Sequence, residues 1–156
     1  MRIVFLVVAT GLLACCDNSR VYEKNHDLAN RYWLVQETPT FDFIVVDNQP
    51  FTLYCNLRNS VDYPYSRIFI NFEIKDSAGL VVKKEMINTF LFDEKTGTPL
   101  GRSGLGDIYD QQLLLLKDFS FKQKGTYTVK FEQNMRTDTL HGILTVGLFV
   151  ESPVKK

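Results

Sequence analysis

The stretch Phe51-Thr52-Leu53-Tyr54-Cys55-Asn56-Leu57-Arg58 decides the fold class. Apolar residues occupy every second position and share one face. The residues between them, Thr52, Tyr54, Asn56 and Arg58, share the other. This period of two is the pattern of a half-buried β-strand. The core-facing residues predicted for this strand are Phe51, Leu53, Cys55 and Leu57.

Short segments of the same kind, separated by turn signals, make up most of the remaining chain. Residues 68–74 and 125–133 alternate in the same way, and Asp76-Ser77-Ala78-Gly79 is a turn that leads into a hairpin. No segment shows the i, i+3, i+4, i+7 apolar spacing of an ordinary helix. About eight short strands predict an all-β fold, an antiparallel two-layer sandwich of immunoglobulin-like or jelly-roll-like type. Further residues predicted to face the core are Trp33, Ile70, Phe72, Tyr127, Val129 and Phe131.

The first sixteen residues predict export and lipidation. A single cation, Arg2, precedes an apolar run that ends in Leu12-Leu13-Ala14-Cys15-Cys16, which is the form of a bacterial lipoprotein signal. The run is shorter than the ~20 apolar residues needed to span a bilayer. The signal peptidase requires a small residue before the lipidated cysteine, so Ala14 favours Cys15 as the anchor, with Cys16 as the alternative. Each buried acyl methylene contributes about 0.8 kcal/mol, so several chains would anchor the protein to a membrane.

The predicted organisation is a signal peptide and anchor over 1–15, a polar tether over 16–31, and one β-sandwich domain over 32–156. Removal of Arg2 with the signal leaves 17 basic and 18 acidic residues. This balance gives no reason to expect a nucleic-acid partner. Cys55 lies in a strand without a pairing partner in the domain, so we expect a buried thiol rather than a disulfide.

The sequence supplies no constellation that predicts catalysis, a metal site or a cofactor. The two histidines, His26 and His141, have no further ligands at metal-binding spacing. Asp107 and Asp110 lie beside glycines, where such residues usually form turns. We therefore predict a protein that is not an enzyme and holds neither metal nor cofactor.

The glycine-rich segment 93–110 is the one candidate binding site. It reads as a long connection, and long connections in compact domains are often functional. It lacks the Gly-Lys-Ser/Thr ending and the strand–loop–helix context of a phosphate loop. Two interpretations remain open: a docking loop for a partner, or a structural loop whose apolar residues close one end of the core. The candidate docking residues are Arg102, Leu105, Asp107, Ile108 and Tyr109.

Several stretches, taken in order, resemble the GldH family of gliding motility lipoproteins of Bacteroidetes. They are Cys16-Asp17-Asn18-Ser19-Arg20-Val21-Tyr22-Glu23, Trp33, Tyr54-Cys55-Asn56-Leu57-Arg58-Asn59, Tyr63-Pro64-Tyr65-Ser66, Gly104-Leu105-Gly106-Asp107-Ile108-Tyr109-Asp110 and Gly142-Ile143-Leu144-Thr145-Val146-Gly147-Leu148. The resemblance covers nearly the whole chain and contains no catalytic motif. In that family the cysteine before Asp-x-x-Arg aligns with Cys16, whereas the peptidase preference favours Cys15.

The resemblance implies a non-enzymatic lipoprotein of the cell envelope, associated with the outer membrane through its N-terminal lipid. Its expected partners are other envelope proteins of the gliding apparatus, whose components overlap with a protein secretion system. Family members also occur in organisms that do not glide. The alternative function is a surface lipoprotein that binds glycan or peptide.

Overall fold

The computed structural model describes residues 19–153, so the predicted signal peptide and both Cys15 and Cys16 lie outside the described residues. Eleven strands and one short 3-10 turn make up the regular structure of this part of the chain. The strands are β1 (Arg20–Asp27), β2 (Tyr32–Leu34), β3 (Thr40–Val45), β4 (Phe51–Ser60), β5 (Arg67–Lys75), β6 (Val81–Phe90), β7 (Arg102–Ser103), β8 (Ile108–Phe119), β9 (Gly125–Gln133), β10 (Thr139–His141) and β11 (Ile143–Glu151). The predicted all-β antiparallel sandwich is confirmed.

The order of the strands makes this sandwich a jelly roll. One sheet has the order β1-β11-β4-β8-β7 and the other has the order β3-β9-β5-β6. The long antiparallel pairs are nested: β5 with β6, β4 with β8, β3 with β9, and β1 with β11. A folded two-stranded ribbon that rolls up on itself produces this nesting, which defines the double-sheet jelly roll. Of the two sandwich types expected, the structure has the jelly-roll type.

The core lies between the two sheets and follows the predicted alternation. Strand β5 alternates without exception between buried and half-buried residues, and β4 does so over most of its length. Trp33 is fully buried, and its indole N–H donates to the carbonyl of Glu37 at 2.8 Å. Every core-facing residue predicted from the sequence is buried in one cluster, namely Trp33, Phe51, Leu53, Cys55, Leu57, Ile70, Phe72, Tyr127, Val129 and Phe131.

The predicted tether over 16–31 is wrong from Arg20 onward. Residues Arg20–Asp27 form β1, an edge strand that pairs with β11 along its length, and a 3-10 turn follows at Ala29–Arg31. Most of β1 is exposed, so it shows none of the alternation that marks the other strands. Tyr22 nevertheless packs towards Phe43, with ring centroids 6.3 Å apart. The sandwich domain therefore begins near residue 20 rather than at residue 32.

Strands β2 and β10 form a small two-stranded ribbon. Gly142, which follows this ribbon, links the 3-10 turn to the end of β4. Gly142, between β10 and β11, donates its N–H to the carbonyl of Arg31 and accepts the N–H of Ser60, both at 2.9 Å. Its φ of 79° is left-handed, a conformation that favours glycine. This crossing ties three segments together at one end of the sandwich.

Candidate functional site

The segment 93–110, expected to be one long connection, instead contains a tight turn at its start and a short β-hairpin at its end. Asp93 builds a tight turn: its Oδ1 accepts hydrogen bonds from the N–H groups of Lys95 and Thr96 at 3.0 and 2.8 Å. These bonds hold the pKa of Asp93 below its usual value. A backbone hydrogen bond from Leu100 to Leu91 closes the turn, and the chain then enters the β7–β8 hairpin.

The β7–β8 hairpin extends the edge of the five-stranded sheet, and its tip is residues 104–107. Arg102 lies opposite Asp110 in the register of the pair. The N–H of Gly104 donates to the carbonyl of Ile108 at 2.8 Å, and Gly106 supplies the positive φ that the turn needs. The carbonyl of Asp107 accepts the N–H of Val61 at 2.9 Å, which fixes the tip to the end of β4. The tip is therefore held at both its base and its side.

The structure separates the five predicted docking residues into two groups. Arg102, Leu105 and Asp107 are exposed, and Leu105, at 91% exposed, is the most exposed large apolar side chain among the described residues. Ile108 and Tyr109 belong to β8 and are half-buried. The hairpin thus presents one apolar side chain at its tip and two polar ones beside it.

A polar groove that the sequence did not predict lies next to the hairpin, on the outer face of the five-stranded sheet. Its volume is about 660 Å³, and β1, β4, β8 and β11 form its floor. The residues that shape it include Asn25, Asp27, Asn56, Arg58, Asp110 and Gln112. They come from segments far apart in the chain, and the pairing of β1 with β11, of β11 with β4 and of β4 with β8 brings them together. The sign of this groove in the sequence was the set of polar residues on the outward face of β4.

An ion pair between β4 and β8 lines the groove. The guanidinium of Arg58 donates from Nε to Asp110 Oδ1 at 2.7 Å and from Nη2 to Asp110 Oδ2 at 3.3 Å. This hydrogen bonding raises the pKa of Arg58. In the neighbouring row, Gln112 donates to Asn56 Oδ1 at 3.4 Å, and Asn56 donates to Glu23 Oε1 at 3.4 Å. The groove is therefore lined by groups whose directions are set by their neighbours.

Outside the groove, the two histidines and Cys55 are engaged in contacts within the fold. His26 contacts Glu37 at 2.8 Å, and the ring of His141 packs edge-on against Tyr32. Cys55 is a free thiol, and its burial raises its pKa to about 12. Across residues 19–153 no three His, Cys, Asp or Glu side chains converge as a metal site would require. Within the same residues there is no helix with the length and apolarity to cross a bilayer.

The eight strands of the four nested pairs define a double-sheet jelly-roll domain, with an exposed hairpin at one sheet edge and a polar groove on one sheet face. The chain belongs to the GldH lipoprotein family, whose model matches residues 20–150.

Two similar proteins were found over nearly the full length. The gliding motility lipoprotein GldH homolog of Christiangramia forsetii is 30% identical, over 95% of this chain and 94% of that protein. The gliding motility lipoprotein GldH of Flavobacterium johnsoniae is 29% identical, over 94% of this chain and 93% of that protein. Among solved structures, infectious bursal disease virus Gx strain aligns with a TM-score of 0.46 and 12% identity. That alignment covers 96% of this chain and 36% of the viral chain.

Proposed function

We propose that this protein is a lipid-anchored, non-enzymatic component of the gliding motility machinery in the cell envelope. In this proposal the anchor is Cys15, with Cys16 as the alternative, and the membrane is the outer membrane. The protein acts by binding another envelope protein through the tip of the β7–β8 hairpin. Membership of the GldH family, and the names of the two similar proteins, support the place in the motility machinery.

The observation that carries the docking role is the exposure of Leu105 on a tip that hydrogen bonds hold in place. A large apolar side chain that is 91% exposed contributes nothing to the core. The tip itself is restrained by the bonds from Gly104 to Ile108 and from Val61 to Asp107. A restrained tip loses little conformational entropy on binding, and that preserves affinity. Val61, 41% exposed beside the tip, adds apolar area.

Charges next to the tip can set the orientation of the partner. Arg102 and Asp107 are exposed on either side of Leu105. Charged groups at the rim of an interface contribute to orientation and association rate more than to affinity. Arginine is also among the residue types that dominate binding energy at interfaces. The proposed interface is therefore an apolar anchor at Leu105 with a charged rim.

The experiment places a photo-crosslinking amino acid, p-benzoylphenylalanine, at position 105 of the full chain in living cells. The matched control places it at Leu80, which is 67% exposed and lies in the turn between β5 and β6. That turn is at the opposite end of the sandwich, since Ser60 pairs with Ile108 and β5 runs away from that end. Crosslinked products are purified from envelopes and identified by mass spectrometry.

Docking predicts that position 105 crosslinks to a discrete envelope protein and that position 80 does not. Co-purification of gliding or secretion proteins with that product would place the contact in the machinery. Equal crosslinking patterns at the two positions would contradict a specific role for the hairpin. Protease digestion of intact cells then shows on which side of the outer membrane the domain lies.

A further inference from the structure

Three side-chain amides in the polar groove lie in one row across four strands, with a glycine between the first and the second. Asn25 on β1 lies opposite Gly147 on β11, Gly147 lies opposite Asn56 on β4, and Asn56 lies opposite Gln112 on β8. The Asn25 side chain lies over Gly147, where a Cβ atom would collide with Asn25 Oδ1. Glycine at this central position therefore lets the amide lie close to the sheet. The row therefore presents the amides of Asn25, Asn56 and Gln112 on one face of the sheet.

Amide groups match the hydrogen bonding of sugar hydroxyls. Each amide of Asn or Gln offers two donors and an acceptor, and each hydroxyl is both a donor and an acceptor. The ion pair of Arg58 with Asp110 extends this mixture, since the carboxylate keeps acceptor capacity beside a guanidinium donor. A ligand with many hydroxyl groups can satisfy both kinds of group at once.

The charge of the groove favours a ligand without net charge. Its lining contains two guanidinium groups, Arg58 and Arg102, and three carboxylates, those of Glu23, Asp27 and Asp110. The opposite charges are interspersed, so no part of the groove is a strong anion or cation site. A phosphate or carboxylate ligand would meet the carboxylates as well as the arginines, and a polycation would meet the arginines.

An aromatic pair lies one row further along the same face of the sheet, next to the residues that line the groove. Tyr54 and Phe149 lie two residues beyond Asn56 and Gly147 on the same strands, and their rings are 5.8 Å apart. Residues two apart on a strand share a face and are separated by about 7 Å. Aromatic rings offer an apolar surface with a polar edge, which suits the C–H face of a sugar ring. The Tyr54 hydroxyl donates to Glu151 at 3.0 Å, which fixes the position of its ring.

The outer face of the other sheet is also polar but carries a different set of side chains, so polarity alone does not distinguish the groove. On that face Glu73 has three lysines as ion-pair partners, Lys75 at 3.1 Å, Lys84 at 3.4 Å and Lys130 at 3.8 Å. Such a network satisfies its own charges. The groove lining described here contains arginine and amides but not lysine.

We infer that the groove is a binding site for a neutral oligosaccharide. Its volume, about 660 Å³, falls within the usual range of roughly 300–1,000 Å³ for small-molecule sites. The amide row binds the hydroxyl groups, the pair of Arg58 and Asp110 orients them, and the Tyr54 ring covers an apolar sugar face. This activity goes beyond the proposed docking role. Asn56 and Gln112 lie outside the hairpin tip, so the two proposals are tested by different residues.

The test uses the full chain, purified in detergent, in isothermal titration calorimetry. The probes are the neutral hexasaccharides of glucose (β-1,4- and α-1,4-linked), mannose and N-acetylglucosamine, with hexagalacturonic acid as the anionic comparison. The variants are Asn56→Ala and Gln112→Ala. The matched control is Asn71→Ala, because Asn71 is a half-buried asparagine on the central strand β5 of the other sheet. Thermal unfolding of each variant confirms that it is folded.

We expect at least one neutral probe to bind, and each groove variant to raise its Kd about tenfold or more, a change of about 1.4 kcal/mol. Asn71→Ala should leave the Kd unchanged. The inference is overturned if no neutral probe binds with a Kd of about 10 mM or tighter. It is also overturned if hexagalacturonic acid binds more tightly than every neutral probe, or if Asn71→Ala weakens binding as much as Asn56→Ala does.

Discussion

The crossing at Gly142 provides a sharp test of the fold, through the substitution Gly142→Ala. A Cβ atom at this position would lie 2.6 Å from both the backbone N and the Cα of Tyr63, closer than real Cβ contacts. The neighbouring atoms are backbone, so no side-chain rotation can relieve the contact. The same residue has a φ of 79°, which strains any side chain that carries a Cβ.

The expected cost has two parts that the structure separates. Left-handed backbone costs an alanine about 1–2 kcal/mol, and overpacking typically costs about 1–3 kcal/mol more. Gly142→Ala should therefore lower the free energy of unfolding by about 2–5 kcal/mol, a large share of an ordinary domain's stability. Gly79→Ala is the matched control, because Gly79 has a φ of 80° and no atom within 4 Å of its would-be Cβ. Gly79→Ala should therefore lose only the ~1–2 kcal/mol that left-handed backbone costs an alanine.

Urea denaturation, followed by tryptophan fluorescence of the buried Trp33, measures both variants. With an m value of about 2 kcal/mol/M, the middle of the usual range, Gly142→Ala should lower the midpoint concentration by about 1–2.5 M at unchanged m. Gly79→Ala should lower it by clearly less. Equal losses in the two variants would refute the reasoning, because the cost would then come from φ alone and not from the close approach to Tyr63.

Three further predictions follow from the core, the charges and the leader. Iodoacetamide should label Cys55 in the native protein only as fast as the domain unfolds, since burial raises the pKa of Cys55 to about 12; rapid native labelling in peptide mass spectrometry would contradict its burial. The hydrogen bond from Lys75 lowers the pKa of Glu73 below its usual 4.5, so its stabilisation is present above that pH and is lost as the pH falls through the lowered value. Glu73→Gln should therefore flatten the acid limb of urea midpoint against pH, and an unchanged limb would count against the ion-pair network. Cys15→Ser should abolish metabolic labelling with palmitate while Cys16→Ser keeps it; the reverse result would make Cys16 the anchor.

The fold class followed from sequence because alternation in the central strands is a local signal. Strand β4 shows it over residues 51–57, and the residues that it directs inward are buried. Strand β1 gave no such signal, because an exposed edge strand has no buried face to impose a period of two. Its pairing with β11 spans more than a hundred residues of chain and cannot be seen in local patterns. The same reason left the immunoglobulin and jelly-roll types unresolved, since they differ in long-range pairing.

The glycines of the sequence marked the segment 93–110 as a candidate docking loop, but neither the β7–β8 hairpin nor the groove was predicted. Glycine marks a turn at the position where it occurs, so the segment around Gly106 could be picked out from sequence. The groove depends on Asn25, Asn56 and Gln112 meeting across strands that are distant in the chain. Each of them alone resembles an ordinary solvent-facing strand residue. Only the register of the sheet shows that they form one row.

The most direct test of the proposed function is the phenotype of Leu105→Asp in the protein's own organism, with Leu80→Asp as the control. Both leucines are exposed in turns, so neither change should alter protein abundance or thermal stability beyond the ~0.5 kcal/mol of a surface substitution. The readout is spreading of the colony on agar, or secretion of proteins into the medium if the organism does not glide. Docking through the hairpin predicts that Leu105→Asp loses this activity at normal protein abundance while Leu80→Asp keeps it. Full activity in a stable Leu105→Asp strain would contradict the account.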